Sequence, residues 1–296
     1  MINKKLEAKR LVIFLLFAFG LSWIPAIIFN KVFSYHEWFE TNKMPIFFWV
    51  VGYGPALANV ITRKITHEGW HDSMLHLNFK GNIKYYIISV AAISFISVFQ
   101  GILATLMIGG GDWSELGQRF TFGDILAAVL FVFATAPLIA FNTFGEEFGW
   151  RGYMNQKMEP LLGTTGTIIV GGIIWGLWHA ELTVEGHNFG TDYPGYPYLG
   201  ILTMCINCTF TGIFLMWLTK KTNSIYPAAI FHAMNNNGGT VTTYIFMSGV
   251  PEDIQLTVPQ HLILDIPFNI AAIIILILML RDNKNDKNKL AAADLR

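Results

Sequence analysis

Eight stretches of this chain, around residues 11–29, 45–62, 85–109, 124–144, 165–183, 199–219, 226–249 and 261–280, are apolar over about the length that crosses a bilayer. A hydrocarbon core of about 30 Å needs roughly 20 apolar residues in a helix. Inside lipid a backbone N–H or C=O finds no water, so each run must satisfy its own hydrogen bonds, as an α-helix does. The chain is 53% hydrophobic and 14% charged, with a mean hydropathy of +0.45, whereas soluble domains carry about 25% charged residues. No internal repeat or low-complexity linker divides the sequence. The expected fold is therefore all-α: one polytopic membrane domain over 1–290, with about eight transmembrane helices around an intramembrane polar cavity. Ala291–Arg296 read as an appended tail.

Charge sets the topology. One set of flanks holds Lys4, Lys5, Lys9 and Arg10, then Arg63, Lys64, Lys80 and Lys84, then Arg151 and Lys157, then Lys220 and Lys221, then Arg281, Lys284, Lys287 and Lys289. The alternating flanks hold Lys31, Lys43 and Arg119, and the loop at 184–198 holds no Lys or Arg. The positive-inside bias predicts a multi-pass protein with both termini in the cytoplasm. The first segment resembles the start of a signal peptide but is long, with no clean small-residue cleavage site, and reads as a retained signal-anchor helix. The formal net charge is zero and the basic residues are dispersed, which leaves no case for nucleic acid. Cys205 and Cys208 cannot build a disulfide framework and read as packing residues in an apolar segment.

Against this apolar background the polar residues stand out. A carboxylate within the bilayer costs about 2.5–3.5 kcal/mol even on the lenient insertion scale, so an intramembrane charge is by default a functional residue. Glu146 and Glu147 stand where the fourth run ends, in Glu-Glu-Phe-Gly-Trp-Arg, with Arg151 completing it. Asn142 and Glu146, four apart, share a helical face; Thr143, Glu147 and Arg151 form a second stripe about 100° around. The Glu147–Arg151 spacing favours an ion pair, which leaves Glu146 as the free carboxylate. His179 lies in the fifth run and His232 in the seventh, where it shares a face with Asn236. His179 sits roughly 20 Å up its helix, at 1.5 Å per residue. Glu146 can meet it only if the fourth helix continues past Arg151 to about Met158, ahead of Pro160.

Three short patterns, Glu-Glu-x-x-x-Arg at 146–151, Trp-x-x-x-His at 175–179 and His-x-x-x-Asn at 232–236, resemble the motifs of the CAAX prenyl protease and bacteriocin-processing enzyme family, which includes the type II CAAX prenyl endopeptidases. The likeness covers about residues 120–250. The second motif usually starts with Phe, and Trp175 stands there. The resemblance implies an intramembrane endopeptidase that removes the last three residues of a prenylated C-terminus. Glu146 and His179 would hold and activate water, His232 and Asn236 would stabilise the oxyanion, and Glu147, Arg151, Asn142 and Trp175 would support them. The substrate would be a prenylated or lipid-linked C-terminal peptide, the other partner membrane lipid, and the site would open toward the cytoplasm. A metal-free reaction is favoured. Zinc stays open as an alternative, since Glu146, His179 and His232 are a conceivable ligand set.

Two rivals stand beside this reading. His67-Glu68-Gly69-Trp70-His71 matches the zincin pattern, which places two His on one helical face with a Glu base between them. Gly69 weakens that helix, and Trp70, Met74 and Leu75 suit a membrane-surface segment. The other rival is a non-enzymatic transporter or immunity-type membrane protein, since proton relays also use buried Glu and His.

Overall fold

The computed structural model describes residues 3–32, 49–108, 121–246 and 257–294, all of them helix, turn or irregular. The helices are α1 (Lys4–Val32), α2 (Gly54–Thr66), α3 (Ile83–Ile108), α4 (Phe122–Gly149), α5 (Asn155–Trp178), α6 (Ala180–Thr183), α7 (Tyr198–Thr222), α8 (Tyr226–Phe246), α9 (Val258–Leu264) and α10 (Ile266–Asp294). Among these residues, five helical stretches are long and apolar enough to cross a membrane: Lys4–Val32, Ile83–Met107, Val129–Trp178, Tyr198–Thr222 and Ile266–Lys284. Eight separate crossings are not reproduced by that count. The second expected crossing yields a 13-residue helix, α2, while residues 45–48 and 247–249 lie outside the described residues, as do Lys43 and Arg119. The fourth and fifth runs join into one stretch.

That join carries the site. A single π-helical turn, Trp150–Met154, links α4 to α5 without a break in helical backbone. The fourth helix does continue past Arg151 and Met158. It ends in effect at Gly163, where φ of 69° and ψ of 176° interrupt the helical run. Glycine occupies this left-handed region without the Cβ penalty other residues incur. The chain therefore reverses near 163, and the second half of α5 brings Trp175 back alongside Glu146.

The helices are sorted by small residues on their inner faces. In α1 the buried positions are Phe14, Ala18, Ser22 and Ala26, a stripe of period four that faces the protein, while Leu16 and Ile24 are exposed, as lipid-facing residues are. The α4–α2 contact is so close that a Cβ on Gly149 would lie 2.3 Å from Pro55 Cβ. A Cβ on Gly176 would lie 2.4 Å from Cys205 Cα, which sets the α5–α7 approach. With no hydrophobic drive between helices in lipid, such close backbone packing is what holds them. Trp150, Tyr153, Met154 and Met158 fill the centre, each buried.

Candidate active site

Glu146 and Glu147 are both buried, 9% and 0% exposed, and the structure separates their partners. Glu147 Oε1 accepts from Arg151 at 3.2 Å, the ion pair the spacing predicts, and lies 2.8 Å from His232 Nδ1. Glu146 is tied instead to α5: Trp175 Nε1 donates to Glu146 Oε2 at 2.7 Å. The paired carboxylates thus hold two different helices, α8 through Glu147 and α5 through Glu146.

Trp175 is the hub of the arrangement. Its carbonyl lies 2.9 Å from His179 Nδ1. Its ring centroid is 5.7 Å from that of His179 and 5.1 Å from that of His232, the latter edge-to-face at 84°. The Arg151 guanidinium sits 4.0 Å from the same ring centroid, well within cation–π range.

The hydrogen bonds also assign the imidazole tautomers. A carbonyl oxygen can only accept, so the His179 proton is on Nδ1 and the lone pair on Nε2. Against the ion-paired Glu147 carboxylate, His232 likewise donates through Nδ1. Cys208 Sγ lies 3.9 Å from His179 Nδ1, behind the ring. Thr143 Oγ1 donates to Ala229 O at 2.7 Å and ties α4 to α8 one turn before the glutamates.

Asn236 stands one turn beyond His232 on α8 and is exposed. Among the described residues no hydrogen bond joins it to Glu146, His179 or His232. Asn142 is exposed and accepts from Trp49 Nε1 rather than approaching Glu146. Its shared face with Glu146 is real, but that face is occupied by the residues before α2. Among the described residues no three His, Cys, Asp or Glu side chains are placed to share one metal ion.

The zincin pattern at 67–71 has no helix under it. His67 ends α2 with φ of 53°, and Gly69 follows at φ 74°. Both are left-handed, so His67 and His71 cannot share a helical face. Glu68 is used structurally. Its Oε2 lies 2.7 Å from Lys157 Nζ and 3.4 Å from Arg10 Nε, and Tyr153 and Thr66 donate to Oε1. Arg63 donates to Asp72 and to the Gly69 carbonyl. Burial alone would raise the pKa of both carboxyls, but Lys157 beside Glu68 and Arg63 beside Asp72 hold them below the usual carboxylate range. The segment is an electrostatic clasp joining α1, α2 and α5.

Beside α4 and α8 lies an apolar cavity of about 400 Å³, lined by Tyr86, Phe133, Phe141, Phe144, Tyr226 and Ile230 among others.

Fold and site define a polytopic helical membrane protein with a buried Glu–Trp–His arrangement between its helices. Residues 125–238 match the family model of the type II CAAX prenyl endopeptidase Rce1-like proteins, which bears out the resemblance read from the three motifs. The chain is 27% identical over 161 residues to the CAAX prenyl protease 2 of Methanococcus maripaludis, covering 52% of this chain and 57% of that protein. It is 30% identical over 139 residues to lysostaphin resistance protein A of Staphylococcus epidermidis, covering 44% of this chain and 32% of that one. The lysostaphin resistance protein A of Staphylococcus haemolyticus is 27% identical over 135 residues, with 44% and 33% covered. The chain thus spans a little over half of the archaeal relative and about a third of the staphylococcal ones.

Proposed function

We propose that the protein is an intramembrane endopeptidase that removes the C-terminal tripeptide from prenylated, CAAX-type proteins or peptides, using water activated by Glu146. The observation that carries this reading is the Glu146 carboxylate, buried among apolar helices, with Oε2 held by Trp175 and Oε1 left for water. A side chain held in place for proton transfer is what general-base catalysis needs. Water bound between Glu146 Oε1 and the free Nε2 of His179 gives up a proton to Glu146 as its oxygen attacks the scissile carbonyl carbon. His232, held through Nδ1 by Glu147, and Asn236, on substrate binding, are the groups that stabilise the oxyanion. When the tetrahedral intermediate collapses, the C–N bond breaks and Glu146 returns its proton to the departing amine.

Lipid modification of the substrate is supported by the apolar cavity of about 400 Å³ against the two helices that carry Glu146 and His232, and by the name of the archaeal relative. The orientation that fits places both termini and the mouth of the site at the cytoplasmic face. The proposed reaction needs no metal. The test is hydrolysis of farnesylated and unfarnesylated CAAX peptides by the purified protein, with and without chelator. The account expects chelator-resistant cleavage that prefers the farnesylated peptide. The names of the staphylococcal relatives, lysostaphin resistance protein A, favour a second reading, a membrane protein that confers resistance. Hydrolysis of neither peptide would overturn the peptidase reading.

A further inference from the structure

We infer that Trp175 is a positioning residue for the general base: its indole N–H fixes the Glu146 carboxylate while its carbonyl fixes the His179 ring, so one residue sets both groups that hold the water. The inference rests on the proposed peptidase reading and adds to it a residue that acts through the base. The geometry is specific. Nε1 donates to Glu146 Oε2 at 2.7 Å, and the carbonyl of the same residue accepts from His179 Nδ1 at 2.9 Å. Trp175 is itself held on three sides. The Arg151 guanidinium packs on its face at 4.0 Å, the edge-to-face contact with His232 restrains the ring plane, and the Gly176–Cys205 approach fixes its backbone. The residue is 3% exposed. An indole so confined keeps its N–H aimed at one carboxylate oxygen, leaving the other free for water.

Phenylalanine at 175 keeps a ring against Arg151 and His232 and has no donor. A freely rotating carboxylate spends less time in the productive orientation, and that loss appears in the chemical step. Deleting one positioned hydrogen bond to a charged group is expected to slow turnover by about 10- to 100-fold. Because the indole does not touch substrate, KM should stay within about twofold.

The test has two readouts on the purified full-length protein. One is kcat and KM of Trp175→Phe on the farnesylated CAAX peptide. The expected result is a fall in kcat at constant KM; unchanged kcat, or a loss confined to KM, would overturn the inference. The other readout does not need activity. The chain has nine tryptophans, so its 15N-indole spectrum has nine N–H signals, and the one missing from Trp175→Phe is Trp175. Trp175→Tyr serves for the assignment if phenylalanine is not tolerated. In Glu146→Ala that signal should move upfield as its acceptor is lost, and an unmoved signal would overturn the hydrogen bond. A protein that cleaves neither peptide yet shows the shift would refute the peptidase reading and leave Trp175 bound to Glu146. Cleavage with no shift would refute the inference alone.

Discussion

Glu147→Gln keeps the shape of the side chain and removes the charge that faces Arg151 at 3.2 Å, where the two side chains are 0% and 4% exposed. At that separation two unit charges attract by about 5 kcal/mol at an effective dielectric constant of 20. Desolvation of both ions offsets most of this, so the intact pair adds little net stability. Breaking it is a different matter. A guanidinium buried without its counter-charge costs about 3–5 kcal/mol, a fall of roughly 5–8 °C in melting temperature for a chain of this size. Thermal unfolding followed by tryptophan fluorescence in detergent reads this directly. The double variant Glu147→Gln/Arg151→Met removes both charges and should recover most of the loss, while peptide cleavage stays at least about tenfold slow because His232 Nδ1 has lost the carboxylate that orients its ring. The reasoning is refuted if Glu147→Gln melts within about 2 °C of the parent, or if the double variant is no more stable than the single one.

Three further outcomes follow from particular contacts. Gly149→Ala places a methyl 2.3 Å from Pro55 Cβ and must push α2 from α4, lowering stability by about 1–3 kcal/mol; Gly123→Ala, with its nearest atom 3.5 Å away, should melt as the parent does. Glu68 and Asp72 have carboxyls held below their ordinary values by Lys157 and Arg63. Their contribution is therefore present above the unfolded values of 4.5 and 3.8 and is lost as pH falls through the lower folded ones. Melting temperature should drop steeply below about pH 4, and less steeply in Glu68→Gln. His67→Ala and His71→Ala should keep cleavage within about threefold of the parent, since neither ring can join a zincin helix; abolished activity with stoichiometric zinc would restore that rival.

The helical character of the chain is legible in its apolar runs, and the Glu147–Arg151 pair in a four-residue spacing, because both are local. Helix length is legible as well: rise per residue alone requires α4 to pass Arg151, and the π-helical turn and the break at Gly163 accomplish this. What spacing cannot supply is which helices meet. Glu147 and His232 are 85 residues apart, and Trp175 and Glu146 are 29 apart. Trp175 is a different residue where the family pattern has phenylalanine, and that difference is the one written trace of its hydrogen bond. Asn142 shows the limit of face arguments, since it shares a side with Glu146 and is taken by Trp49. The pattern at 67–71 shows the reverse, where Gly69 signals that no helix underlies it. Of the eight expected crossings the described residues show five stretches long and apolar enough to span a membrane: α2 is short, and the fourth and fifth runs are joined through the π-helical turn ahead of the break at Gly163.

The central claim is that Glu146 is the base. Cleavage of a farnesylated CAAX peptide by purified parent and Glu146→Ala proteins, each matched for folded fraction by its melting transition, tests it most directly. The account predicts a loss of about 1,000-fold or more in kcat, within the range a general base supplies. Cleavage by Glu146→Ala at the parent rate would contradict it.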